Sequence, residues 1–195
     1  MSPTAPRTIR LETERYIVRT LETTDATENW RHWMTDPATM RNLNINATVL
    51  SDDQIRAYIG RFDRQTSHLL GIFEKDGGRL IGIRAIYIDP DHREFLLNVL
   101  VGESDARNRG ARAETLEPIF RYFFDDLDLL AVNASAVSTN EPILRKMESR
   151  GWTRLNTSTK AAANGQGPVQ IHTYRLTRDQ WRKRSTSPDA DGESS

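Results

Sequence analysis

The hydrophobic period of the chain changes at Gly102, and that change limits the folds open to it. Before it lie three runs with strand patterning. Residues 68–74 are closed by the turn Lys75-Asp76-Gly77-Gly78, residues 80–88 by Asp89-Pro90-Asp91, and residues 95–101 by Gly102. Short turns join antiparallel neighbours, so these runs predict a three-stranded meander. After Gly102, Ala113, Leu116, Phe120, Phe123 and Leu127 recur at helical spacing, which predicts one long helix over about 110–126. Pro118 lies inside it without the N–H that would bond the carbonyl of Glu114, so a kink or a loosened turn is expected there.

Upstream, Tyr16, Ile17, Val18 and Leu21 mark a first strand over 14–21, and Thr24-Asp25 supplies a helix cap signal. The helix that follows carries Trp30, Trp33 and Met34 as a packing stripe and stops near Asp36-Pro37. Ser51-Asp52-Asp53 announces a second helix, with Ile55, Tyr58, Ile59 and Phe62 on its inner face. Downstream, residues 129–137 alternate as a strand and 141–150 form a short helix closed by Gly151. Residues 152–155 and 169–176 read as a hairpin around a long Ala/Asn/Gly loop. The element order is βααβββαβαββ, an α+β (mixed α/β) arrangement. Residues 8–184 read as a single domain; 1–7 and 185–195 are small, polar and Pro/Gly-bearing, and are expected to be disordered tails.

Composition removes several functions. The 27 Lys and Arg are balanced by 27 Asp and Glu, so a globally basic nucleic-acid binder is disfavoured. No apolar run approaches the ~18 to 20 residues of a membrane helix, and the first residues lack a signal peptide's apolar core, so a cytoplasmic chain with no membrane partner is expected. With no cysteine, thiol nucleophiles, disulfides and thiolate metal sites are excluded. His32, His68, His92 and His172 are scattered without ligand spacing, so no metal is expected.

The segment that carries chemistry runs from Val99 to Glu114: an apolar strand, a polar turn, then Arg107-Asn108-Arg109-Gly110-Ala111-Arg112 opening the helix. A glycine-bearing turn at a helix start directs backbone N–H groups outward, which suits a phosphate or pyrophosphate, and Arg107, Arg109 and Arg112 add cationic forks. A solvated basic loop would show the same isolated pattern. The segment is followed by a strand and by Ser138-Thr139-Asn140-Glu141-Pro142. At this point the sequence resembles the GNAT superfamily of acyl-CoA-dependent N-acetyltransferases, and within it the ribosomal-protein alanine acetyltransferase-like branch. The resemblance begins at Leu11-Glu12-Thr13-Glu14-Arg15-Tyr16-Ile17-Val18-Arg19. It includes Leu80-Ile81-Gly82, Arg107 with Gly110, Glu114, the Asn140 turn and Gly151-Trp152, and closes on Tyr174-Arg175-Leu176-Thr177-Arg178-Asp179-Gln180-Trp181.

The resemblance implies a GNAT-like splayed, mainly antiparallel, six- to seven-stranded sheet flanked by helices. Acetyl-CoA, the co-substrate, would lie where the strand over 95–101 parts from the strand over 129–137. The backbone of Leu100 and Val101 would pair with the pantetheine arm, and the amides of Arg107, Asn108, Arg109, Gly110, Ala111 and Arg112 would hold the pyrophosphate. Asn140 would touch the pantetheine from the other side, although Asn140 is equally a helix N-cap. A primary amine of a small molecule or a protein N-terminus would then attack the thioester directly.

The chain departs from the family at three points. Arg112 stands at the third small position of the turn, Ile143 and Met147 stand where a Tyr or Ser acid is frequent, and the strand before the turn reads Leu96-Leu97-Asn98-Val99 without a carboxylate. The general base is therefore unassigned, with Glu94, His92 and His172 as candidates. These departures also leave room for a non-catalytic acyl-CoA-binding protein, and the clustered arginines for a basic-loop interaction module. An exposed final strand offers an edge for homodimer pairing.

Overall fold

The computed structural model describes residues 5–165 and 167–185. Eight strands form one sheet: β1 (Arg10–Glu12), β2 (Tyr16–Thr20), β3 (Ser67–Glu74), β4 (Leu80–Asp89), β5 (Glu94–Val101), β6 (Ala131–Val137), β7 (Thr153–Ala161) and β8 (Pro168–Thr177). Their spatial order is β1-β2-β3-β4-β5-β6-β8-β7. Neighbours are antiparallel except β5 and β6, which run parallel.

The helices cover both faces of this sheet. On one face, α1 (Glu28–Thr35), α2 (Pro37–Leu43) and α3 (Asp52–Ile59) bury Trp30, Trp33, Met40, Ile55 and Ile59 against Leu69, Phe73, Ile83, Ala85 and Leu100. On the other, α4 (Ser104–Asn108), α5 (Ala111–Glu114), α6 (Leu116–Arg121) and the wider π-type turn Tyr122–Asp126 bury Ala106, Ala111, Ile119, Phe120, Phe123 and Phe124. Their partners there include Leu70, Ile72, Ile81, Ile86, Phe95 and Val132. Covering both faces explains why β4 is an almost unbroken buried run from Leu80 to Ile86 rather than an alternating one. Two further helices, α7 (Glu141–Ser149) and α8 (Arg178–Ser185), complete the structure. Among the described residues, no helix is long and apolar enough to cross a membrane.

The meander of β3, β4 and β5 forms in the expected register direction, and α3 starts on a reciprocal capping box between Ser51 and Gln54. Four expectations need correction. The sheet has eight strands rather than six or seven, because Arg10–Glu12 adds a short, largely exposed first strand. The expected helix stop at Asp36-Pro37 is also a helix start: the Asp36 carboxylate accepts from the Thr39 amide at 3.1 Å and Pro37 opens α2, where a missing N–H has no consequence. The single long helix expected over 110–126 is instead α5, α6 and a π-type turn. The break falls at Thr115 (φ −82°, ψ −3°), where the chain avoids the clash of the Pro118 ring with the Glu114 carbonyl. Last, β7 runs to Ala161, so the hairpin loop is short; an edge strand exposed on both faces shows no apolar alternation by which to recognise it. Of the expected tails 1–7 and 185–195, residues 1–4 and 186–195 lie outside the described residues, and Ser185 ends α8. At the near end the Arg7 amide donates to the Arg64 carbonyl at 2.8 Å.

Candidate active site

The parallel pair of β5 and β6 is joined only at Glu94↔Ala131, Phe95↔Val132 and Leu96↔Asn133. Beyond that point each strand continues, held on its outer side by β4 or β8, and a wedge opens between them. The closed end is latched. The Leu130 amide donates to the Arg93 carbonyl at 2.7 Å, while the Glu94 carboxylate accepts from Asn133 Nδ2 at 2.8 Å and pairs with Arg175 at 2.5 Å.

Peptide groups alternate sides along a strand, which fixes what β5 offers the wedge. The Arg93 carbonyl faces β6, whereas the Gly102 amide faces β4 and donates to the Ile81 carbonyl at 3.0 Å. Odd positions therefore face the wedge. Leu97, Val99 and Val101 present their peptide groups there, and Leu100 is committed to β4, opposite Ile83. Of the expected pair Leu100 and Val101, Val101 turns its peptide group to the wedge and Leu100 does not; Val99 does. The Val101 carbonyl already accepts from Arg107 Nη1 at 3.1 Å.

A cavity of about 470 Å³ fills the wedge and extends over the α1–α3 face of the sheet. Its walls are largely apolar, with Trp30, Met34, Leu43, Ile83, Val99 and Ile143 among them. The polar lining groups are Asn42, Tyr58, Tyr87, Asn98, Arg112, Ser135 and Asn140, and the described lining includes no Asp, Glu, His or Lys. Tyr58 is pushed up to about 12 by burial and by the neighbouring Tyr87 phenol, so it stays protonated at neutral pH. Asn140 begins α7, and its side chain makes no capping bond; it lines the cavity instead.

The glycine turn is built differently from its sequence pattern. The amides of Arg107, Arg109 and Gly110 donate to the carbonyls of Glu103, Asp105 and Arg107, because α4 occupies the segment expected to be an open turn. Gly110 adopts φ +80° at the start of α5, and a Cβ there would meet nothing within 4 Å. Past it, the Ala111 and Arg112 amides open a helix, where no intrahelical acceptor exists. The three guanidinium groups separate. Arg107 also bonds Thr39 Oγ1, Arg109 pairs with Glu74 and Asp105, and Arg112 alone reaches the cavity. Asn108 is exposed on α4.

The three candidate bases lie elsewhere. Glu94 belongs to the latch described above. His92 is exposed in the β4–β5 turn, where hydrogen bonding to Asp89 raises its pKa. His172 is buried on β8, its Nδ1 2.8 Å from Thr157 Oγ1. Sequence reasoning passed over Arg84, the one charge inside the buried run of β4, and that interruption of an apolar strand was the available signal.

The profile of the GNAT acetyltransferase domain matches residues 15–153, and the chain belongs to that family; it is an N-acetyltransferase. No curated protein matches it. Among solved structures, a GNAT-family acetyltransferase from Bacillus anthracis is 17% identical, with a TM-score of 0.72 over 88% of this chain and 99% of that one. A spermidine N-acetyltransferase from Vibrio cholerae, solved with CoA and spermine, is 12% identical (TM-score 0.76; 87% and 99% covered). A candidate ribosomal-protein-serine acetyltransferase from Vibrio cholerae is 16% identical (TM-score 0.68; 89% and 99% covered). GNAT acetyltransferases take the acetyl group from acetyl-CoA. The features described fit such a co-substrate: a strand edge without a partner strand for its amide-bearing arm, and open space at Gly110 followed by the Ala111 and Arg112 amides at the start of α5.

Proposed function

We propose that residues 8–184 transfer an acetyl group from acetyl-CoA to a neutral primary amine, by direct attack on the thioester carbonyl within the wedge. The observation that carries this reading is the parting of β5 from β6 beyond Leu96, which leaves the Val99 peptide edge without a strand partner beside the cavity, next to the Val101 carbonyl held by Arg107. That edge would bind the pantetheine arm as an added strand. Asn140 would hold it from β6's side, and the Ala111 and Arg112 amides would take the pyrophosphate. As the amine nitrogen bonds the carbonyl carbon, the carbon–sulfur bond breaks and CoA leaves as the thiolate; the nitrogen's proton goes to solvent, and solvent returns one proton to the thiolate. Strand amides facing the wedge would stabilise the oxyanion.

The lining also bears on the acceptor. A polyamine needs carboxylates along its path, and the described lining has only neutral groups and Arg112. This favours a monoamine on an uncharged body, such as the N-terminus of a protein, in keeping with the resemblance of Leu11 to Arg19 to the ribosomal-protein branch.

With no carboxylate or imidazole in the described lining, the acceptor must arrive already deprotonated. The expected kcat/KM rises about tenfold per pH unit and levels near the acceptor's own pKa, ~8 for a peptide α-amine and ~10.4 for an alkylamine. Steady-state rates from pH 5.5 to 10 with both acceptors test this. A plateau near pH ~6 to 7 for both would assign an enzyme base and overturn this account of the chemistry.

A further inference from the structure

On the α5 and α7 side of the sheet the wedge continues into a second cavity of about 60 Å³. It shares Leu97, Val99, Arg112, Ala134, Ile143 and Met147 with the first. Four of its walls are cationic: Arg84 from β4, Arg112 from α5, and Lys146 and Arg150 from α7. Among the described residues, none of the four side chains forms an ion pair, although the chain as a whole is electrically balanced. Arg84 is fully buried. Its Nη2 donates to the Arg112 carbonyl at 2.8 Å and to Thr115 Oγ1 at 2.6 Å, while Nε and Nη1 have no acceptor.

A buried cation left with two unmet donors is costly, and like charges placed around it add to that cost. The surroundings show the strain in the expected direction. Burial and Arg112 push Arg84 down to about 9, burial and Arg150 push Arg112 down to about 10, and Lys146 is lowered by burial, Arg150 and Arg112. A neutral ligand would relieve none of this. An anion with several acceptor oxygens would meet the free donors and the repulsion together. The volume is that of about two water molecules, so the anion must be small or must be the end of a group entering through the wedge.

We infer that the side chains of Arg84, Arg112, Lys146 and Arg150 form a subsite for a phosphate-class oxoanion, with donors additional to the Ala111 and Arg112 amides. The anion is either a phosphate of the co-substrate or a free or acceptor-borne phosphate. The first source rests on the acetyl-CoA reading; the second does not.

The test is a thermal-shift and calorimetric titration of the full chain with inorganic phosphate, with chloride at equal ionic strength, with acetyl-CoA and with acetylpantetheine. It is run on the wild type and on Arg84→Met, Lys146→Gln and Arg150→Gln. The last two alter side chains at the protein surface and keep the test valid if Arg84→Met does not fold. Phosphate is expected to raise the wild-type melting temperature by ~3 to 6 °C at ten times its dissociation constant. Affinity should fall about tenfold to a hundredfold in each variant. If acetyl-CoA weakens in step while acetylpantetheine does not, the co-substrate supplies the phosphate; if acetyl-CoA is unaffected, a separate phosphate does. Phosphate that matches chloride, or that acts equally on wild type and variants, overturns the subsite. Acetyl-CoA binding would then stand on its own result.

Discussion

Ala134→Trp is expected to lower acetyl-CoA affinity by at least about a hundredfold, some 2.8 kcal/mol, and to reduce acetyl transfer accordingly. Ala134 lies on β6 just past the last residue paired with β5, and it lines both cavities. An indole there projects into space that is already open rather than into packed core, so the fold should remain and the melting temperature without ligand should change little. What the indole removes is access to the Val99 and Val101 edge. Isothermal titration against acetyl-CoA, with circular dichroism as the fold control, reads the two effects separately. Unchanged affinity in a folded variant would show that the co-substrate does not use the wedge.

Trp33→Ala is expected to destabilise the protein by ~3 to 5 kcal/mol, lowering the melting temperature by ~6 to 20 °C. Trp33 is 1% exposed and fills the space between α1 and the end of β5. A Cβ on Gly102 would lie 2.1 Å from its ring, so the indole and the glycine fit only as a pair. Its Nε1 donates to Glu103 Oε1 at 2.8 Å, and Glu103 in turn pairs with Arg79. The deletion therefore leaves a cavity and frees a carboxylate at the point where β5 becomes α4. Because Val101 sits at that junction, acetyl-CoA affinity should weaken as well. Chemical denaturation followed by intrinsic fluorescence and circular dichroism measures the first effect. A loss under 1 kcal/mol would mean that the α1 packing described here is wrong.

What could be recognised in the residues follows from how many independent signals agreed. The β3–β5 meander was legible because residue period and turn chemistry pointed the same way at Lys75-Asp76-Gly77-Gly78 and Asp89-Pro90-Asp91. The α3 start was legible because Ser51 and Gln54 cap each other. By contrast β7 carries Thr, Ser, Asn and Lys exposed on both faces, so no burial pattern marks it. The long helix was misjudged because its apolar spacing persists through α5, α6 and the π-type turn, even though Pro118 interrupts the hydrogen bonds.

The glycine turn was legible as a helix start, but the partners of its amides and of its arginines were not. Gly110 does hold the left-handed conformation at a helix start. Arg107 and Arg109 look like ligands in sequence yet bond Thr39 and Glu74, partners that only the tertiary fold brings near, and Arg109 also pairs with Asp105 four residues earlier. Arg112, the bulky residue at a small position of the turn, lines both cavities, and its carbonyl accepts from Arg84, a residue 28 positions earlier. Such groupings depend on strand register and cannot be read from spacing along one segment.

The proposed chemistry requires acetyl-CoA to occupy the wedge between β5 and β6. A thermal-shift titration with acetyl-CoA, beside CoA and ATP, tests it most directly. At about a hundred times the dissociation constant the account predicts stabilisation of ~2.7 kcal/mol, a rise of roughly 5 to 11 °C, with the rise lost in Ala134→Trp and absent with ATP. No rise at saturating acetyl-CoA, or an equal rise in Ala134→Trp, would contradict it.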